Sequence, residues 1–95
     1  MGFILFHGND FKLVRREVRL YEEGLKKEFP GIEQDTPENP TLAQIQNKIS
    51  SGSLFAEKQI LKIFEPEKVN GFEKILDLNP DAFVILLSDK ETNPF

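Results

Sequence analysis

One short turn in this sequence has the residue types that phosphate chemistry could use. The run from Phe3 to Phe6 is wholly apolar, which predicts a strand buried on both faces, and the turn after it contains Gly8, Asn9 and Asp10. Glycine permits a sharp turn, Asn or Asp can cap a helix, and the amino terminus of a helix attracts anions. This strand–turn–helix arrangement is where a nucleotide-binding phosphate loop would lie.

The turn lacks the residues with which a phosphate loop grips a nucleotide. A working loop reads G-x-x-x-x-G-K-[ST]. Counted from Gly8, the second glycine falls on Leu13, the lysine on Val14 and the hydroxyl residue on Arg15. We therefore interpret the turn as a degenerate phosphate-loop position and expect no ATP hydrolysis.

Few residues could bind a metal or act as catalysts. The chain has no Cys and one His, which excludes disulfides, thiolate ligands and a cysteine nucleophile. The strand predicted near residue 60 leads into Glu65-Pro66-Glu67 rather than into a paired Asp-Glu. We interpret Glu65 as a solvated strand end rather than a Mg²⁺ ligand, His7 as structural, and Ser88 as part of a strand-ending turn. The sequence thus predicts no catalytic residue, no metal and no cofactor.

The basic residues of the first predicted helix are interpreted as a solvated surface. Arg15, Arg16 and Arg19 could form a strip for DNA, but glutamates are interspersed at positions 17, 22 and 23. The formal net charge of -4 also argues against direct nucleic-acid binding. An ordinary charged helix face is therefore favoured.

Periodicity places these residues on alternating strands and helices. Apolar residues recur at steps of three or four from Val14 to Phe29, which predicts a helix that ends at Pro30-Gly31. Thr41 and Gln44 form a capping box for a second helix. The remaining predicted elements are strands at Ile32 to Asp35, Gln59 to Phe64 and Ala82 to Leu87, and a third short helix from about Gly71 to Leu78.

The order of elements predicts the fold class. Apolar strands need cover on both faces, which helices between parallel strands provide. Right-handed crossovers then give an α/β, doubly wound, mostly parallel sheet, forming a single domain over residues 1–95. The longest apolar run, residues 82–87, is far shorter than the about 20 residues of a membrane span, so we expect a cytoplasmic protein without membrane contact.

Three segments, in matching order, resemble the amino-terminal domain of the delta subunit of bacterial DNA polymerase III. They are LFHGND at residues 5–10, followed by an amphipathic helix, then SLFAEKQ at 53–59, leading into an apolar strand, and AFVILLS at 82–88. The resemblance implies a degenerate P-loop NTPase-like domain of the AAA+ type that belongs to a clamp loader. It also implies that the lid and collar domains of a full delta subunit are absent from residues 1–95.

The resemblance implies a protein-binding function without ATP hydrolysis. Delta-type subunits bind the ring-shaped sliding clamp (the beta subunit) through a hydrophobic wedge and help open the ring in DNA replication. The wedge position is held here by Ser53, Leu54 and Phe55, and Gly52 stands where the family often carries a bulky apolar residue. The implied partners are the clamp and the other clamp-loader subunits, with DNA contacted only indirectly.

Alternative interpretations remain for both the wedge and the function. Leu54 and Phe55 are also of the type that packs in a core, although the small polar residues at 50–53 favour a surface connection. A generic α/β protein-interaction domain is one alternative function. A cryptic nucleotide-binding domain that uses the Gly8 turn is another.

Overall fold

Four strands, two α-helices and two short 3₁₀ helices make up the part of the chain that the computed structural model describes, residues 2–51, 59–77, 80, 82–91 and 94–95. The strands are β1 (Gly2–His7), β2 (Glu33–Asp35), β3 (Gln59–Phe64) and β4 (Phe83–Ser88), and the helices are α1 (Phe11–Glu28) and α2 (Leu42–Ser51). The 3₁₀ helices, Pro66–Lys68 and Phe72–Ile75, lie between β3 and β4. None of the described helices is long and apolar enough to cross a membrane.

The four strands form one parallel sheet in the order β1-β4-β3-β2. His7 at the end of β1 is in register with Ser88, and Phe64 at the end of β3 is in register with Leu87. The carboxyl ends of these strands therefore meet at one edge of the sheet, together with the turn that follows β1. The predicted α/β class with a parallel sheet is confirmed.

Helical segments cover both faces of this sheet. On one face, Val18 and Leu25 of α1 pack with Ile60, Ile85 and Leu87. On the other face, residues of α2 and the second 3₁₀ helix pack against the alternate strand residues, among them Ile45, Ile49, Phe72, Ile75, Leu61, Val84 and Leu86. β1, β3 and β4 carry apolar side chains on both sides because helical segments cover both faces of the sheet.

β1 lies at an edge of the sheet, which limits its burial. Phe3 and Leu5 pack toward the α2 face and Ile4 and Phe6 toward the α1 face, as expected of a strand covered on both sides. All four residues are nevertheless only half-buried, because β4 is the one strand of the described sheet beside them. The apolar run predicts the strand correctly, but it does not show whether the strand lies at the edge or in the centre of the sheet.

Over residues 71–77, the helix predicted from about Gly71 to Leu78 is wrong in type and length, and Leu78 itself lies outside the described residues. The segment forms a single 3₁₀ turn at Phe72–Ile75, in which Lys74 N donates to Gly71 O at 3.0 Å and Leu76 N donates to Glu73 O at 3.3 Å. Gly71 enters the turn with φ 78°, a left-handed conformation that glycine adopts without strain. The spacing of three between Phe72 and Ile75 sends both side chains into the core in a 3₁₀ turn as well as in an α-helix.

The two α-helices begin where the sequence predicts. At α2, Thr41 N donates to Oε1 of Gln44 at 2.9 Å and Gln44 N donates to Oγ1 of Thr41 at 3.2 Å, so the capping box is confirmed. α1 ends at Glu28, just before Pro30-Gly31. Its buried stripe contains Val14, Val18 and Leu25, with Tyr21 and Phe29 half-buried.

Candidate functional site

The turn between β1 and α1 places a carboxylate at the amino terminus of the helix. Asp10 is the residue that precedes α1, and its Oδ1 accepts a hydrogen bond from Leu13 N at 3.3 Å. Its carbonyl oxygen accepts from Val14 N at 3.1 Å, the first bond of the helix. The capping carboxylate thus occupies the Leu13 amide and adds negative charge where a phosphate group would have to bind.

The surroundings of this turn are also unsuited to a triphosphate. A cavity of about 530 Å³ lies beside Gly8, and the described residues that line it include Asp10 and Glu17 but no Lys or Arg. Lys12 lines a separate groove on the α1 side of β3. A Cβ atom added to Gly8 would lie 3.3 Å from Cγ2 of Val14, so this glycine permits close packing of the turn against its own helix.

Asp10→Ala should lower the free energy of unfolding by about 1 kcal/mol, because the Leu13 amide loses its cap. Asp10→Asn should change stability far less, since asparagine caps helices as well as aspartate does. Urea denaturation of both variants measures the difference. Equal losses in the two variants would show that charge, rather than the capping hydrogen bond, stabilises this helix end.

At the end of β3, the acidic residues pair with neighbouring groups of the chain. Glu65 adopts a left-handed conformation with φ 52° and its Oε2 lies 3.1 Å from Nζ of Lys68. The hydrogen bond to Glu65 and the charge of Glu65 raise the pKa of Lys68 above its usual value. Among the described residues, no group of three or more His, Asp or Glu is arranged to hold a metal ion.

Ser88 links the end of β4 to the first 3₁₀ helix. Its side chain is fully buried, and its Oγ donates to Oε2 of Glu67 at 2.7 Å and accepts from Lys90 N at 3.2 Å. Glu65 N also donates to Leu87 O at 2.7 Å. Ser88 therefore ties the end of β4 to the 3₁₀ helix that follows β3, in agreement with its interpretation as a strand-ending residue.

The predicted wedge of Ser53, Leu54 and Phe55 lies outside the described residues, as does Gly52. The flanking elements are described: α2 ends at Ser51, and β3 begins at Gln59 in register with Glu33 at the start of β2. Gln59 thus marks the amino edge of the sheet, opposite the edge where the β1–α1 turn lies. The segment that contains the wedge joins α2 to this amino edge.

A buried ion pair between α1 and β3 was missed by the sequence interpretation. Nζ of Lys62 lies 2.9 Å from Oε1 of Glu22, and Glu22 is only 7% exposed. The signals were a lysine inside an otherwise apolar strand and a glutamate beside the apolar stripe of the helix. Both residues also line a groove rich in basic residues.

Comparisons with known proteins return no match. No protein-family model matches the chain, and neither the curated proteins nor the solved structures contain a match.

Proposed function

We propose that this chain is a delta-type clamp-loader module of a bacterial DNA polymerase III holoenzyme, with a degenerate AAA+ fold and no ATPase activity. It binds the sliding clamp through Ser53, Leu54 and Phe55 and helps open the ring during DNA replication in the cytoplasm. Other clamp-loader subunits are further partners. DNA is reached through the clamp and the loader in this proposal.

The observation that carries this proposal is the capped helix at the degenerate phosphate-loop position. In a nucleotide-hydrolysing relative, the amino terminus of α1 would face phosphate, whereas here Asp10 accepts from its Leu13 amide. Asp10 and Glu17 line the neighbouring cavity, so a triphosphate would meet two carboxylates. A domain with this turn is better suited to binding a protein than to hydrolysing ATP.

The positions of the three family-like segments on the fold also support the proposal. Residues 5–10 run from β1 into the turn, residues 82–88 contain β4, and β1 and β4 are neighbours in the sheet. Residues 53–58 connect α2 to β3, and Gln59 begins β3, the apolar strand into which the SLFAEKQ segment leads.

The test is a calorimetric titration of a bacterial sliding clamp with the chain, with and without ATP and Mg²⁺. We expect saturable binding whose affinity changes less than about twofold on adding nucleotide, and a melting temperature of the chain that moves by less than about 1 °C. A clear rise in melting temperature with ATP and Mg²⁺ would instead support the cryptic nucleotide-binding domain. Absence of a complex would leave only a generic interaction domain.

A further inference from the structure

A groove of about 590 Å³ between α1 and the sheet concentrates positive charge. Its lining includes Lys12, Arg15, Arg16 and Arg19 of α1 and Lys62 and Phe64 of β3. Among the described residues that line this basic groove, five are Lys or Arg and one, Glu22, is acidic. A chain with a formal net charge of -4 thus carries a locally cationic surface.

The carboxylate in the basic groove is already paired. Glu22 is buried, and its Oε1 lies 2.9 Å from Nζ of Lys62. The four cationic side chains from Lys12 to Arg19 form no ion pair with any carboxylate of the described residues. Among the described lining residues, four positive charges therefore remain without a balancing acid.

The interspersed glutamates of α1 do not neutralise this surface. Glu17 lines the cavity at the β1–α1 turn rather than the basic groove. Glu23 is exposed on α1 and is not among the residues that line the groove. The sequence alone does not show which glutamates of α1 face the groove, because the direction of each side chain depends on how α1 lies on the sheet.

Two of the cationic side chains, Arg15 and Lys62, lie against aromatic rings. The guanidinium carbon of Arg15 lies 5.8 Å from the ring centroid of Phe11 and 5.9 Å from that of Phe64. Nζ of Lys62 lies 5.8 Å from the Phe64 centroid. Such contacts orient a cation without using its hydrogen-bond donors, which stay available to a ligand.

We infer that the basic groove binds phosphate groups, carried either by a single-stranded nucleic acid or by a free oligophosphate. Guanidinium groups match phosphate oxygens with paired hydrogen bonds. The groove volume lies within the about 300–1,000 Å³ of ordinary ligand sites, which suits a short anionic segment rather than a duplex. A basic groove that contains an aromatic ring, here that of Phe64, is also in keeping with the pattern of single-strand binding proteins.

This inference is independent of clamp binding. The basic groove lies between α1 and the α1 face of β3, whereas the proposed wedge is at residues 53–55 in the connection from α2 to β3. A groove variant should therefore keep its affinity for a clamp, and a variant in the wedge should keep its affinity for phosphate. A negative result for clamp binding therefore does not contradict phosphate binding in the groove, and the reverse also holds.

The experiment compares Arg16→Gln/Arg19→Gln with the matched control Lys26→Gln/Lys27→Gln. Both variants remove two positive charges from exposed positions of α1, but the control residues lie in the last turn, outside the groove. Binding of a fluorescein-labelled twelve-nucleotide deoxythymidine oligomer is measured by anisotropy from about 50 to 200 mM salt. Sodium tripolyphosphate serves as the second phosphate probe and an oligoglutamate peptide as the carboxylate probe.

The wild-type chain and the Lys26/Lys27 control are expected to bind each phosphate probe with similar affinity. The Arg16/Arg19 variant is expected to bind at least about tenfold more weakly than the wild type at low salt. For the oligonucleotide, the slope of log affinity against log salt should become about 1.4 less steep, since two phosphate contacts are lost. Tighter binding of the oligonucleotide assigns the groove to nucleic acid, and tighter binding of tripolyphosphate assigns it to free oligophosphates. No binding of either probe, equal weakening of both variants, or equally tight binding of oligoglutamate would overturn the inference.

Discussion

The double variant Leu54→Ala/Phe55→Ala is expected to bind a sliding clamp at least about 100-fold more weakly than the wild-type chain. Burial of a large apolar side chain contributes about 1.5–3 kcal/mol, so two such residues contribute about 3–6 kcal/mol at an interface. Each 1.4 kcal/mol corresponds to about a tenfold change in affinity. Few residues carry most of the affinity of a typical interface, and bulky anchors in a pocket of the partner are often among them. Surface plasmon resonance on immobilised clamp measures the loss.

A control with the same chemistry is available on α1. Leu13 and Leu20 are 55% and 50% exposed, so Leu13→Ala/Leu20→Ala removes two large apolar side chains from a surface outside the wedge. This control should change clamp affinity less than about twofold. The wedge assignment is wrong if the Leu54/Phe55 variant stays folded by circular dichroism and binds the clamp normally.

The stability of the Leu54→Ala/Phe55→Ala variant also shows whether these two side chains form an exposed wedge or pack in the core. Truncation of buried leucine and phenylalanine to alanine costs about 2–5 kcal/mol each, whereas truncation of surface residues costs little. A wedge exposed for a partner therefore predicts an almost unchanged midpoint of urea denaturation. A large fall in that midpoint would place both residues in the core of the domain.

Phe72→Ala should lower the free energy of unfolding by about 3–5 kcal/mol. Phe72 is fully buried in the second 3₁₀ helix and belongs to the cluster that covers the α2 face of the sheet. Its ring also stacks on that of Phe95, with centroids 5.5 Å apart. Removing the ring leaves a cavity that the surrounding strand and helix residues can fill only in part, because the backbone of the sheet is fixed by its parallel pairing.

The neighbouring Glu73→Ala serves as the control, because Glu73 is exposed in the same turn. We expect it to change stability by less than about 0.5 kcal/mol. A typical native domain is stable by about 5–15 kcal/mol, so the loss at Phe72 would remove a large part of the total. A loss below about 1 kcal/mol at Phe72 would show that the 3₁₀ connection is not part of the core.

Patterns confined to one element were read correctly from the sequence. The spacing of Val14, Val18 and Leu25 and the capping box of Thr41 and Gln44 depend on helix geometry alone, which is the same in every protein. The strand at Gln59–Phe64 was predicted with its observed bounds. The turn sequence predicts a cap at Asn9 or Asp10, and the structure shows that Asp10 accepts from the Leu13 amide.

Features that depend on contacts between elements could not be predicted in the same way. Whether the apolar β1 lies at an edge depends on the strand order, which its own residues do not encode. Phe72 and Ile75, three residues apart, fit an α-helix and a 3₁₀ turn equally well. The partner of Lys62 is 40 positions away along the chain, and no local pattern links it to Glu22.

The basic groove illustrates how local and global charge differ. The net charge of -4 and the glutamates among the arginines of α1 favoured a solvated helix face. The structure pairs Glu22 with Lys62 and places Glu17 at another cavity, so Arg15 and Arg19 share a surface with Lys12, Arg16 and Lys62. Charge therefore has to be counted over a surface rather than along a helix before nucleic-acid binding is judged.

Hydrogen–deuterium exchange of the chain, with and without a saturating sliding clamp, tests the proposed function most directly because it locates the contact. The proposal predicts that exchange slows in peptides covering residues 52–58 and stays unchanged in peptides covering the turn at Gly8, Asn9 and Asp10. The Leu13→Ala/Leu20→Ala control should give the same pattern. Slowed exchange confined to other parts of the chain, or no change at residues 52–58 while the clamp is bound, would contradict the clamp-loader account.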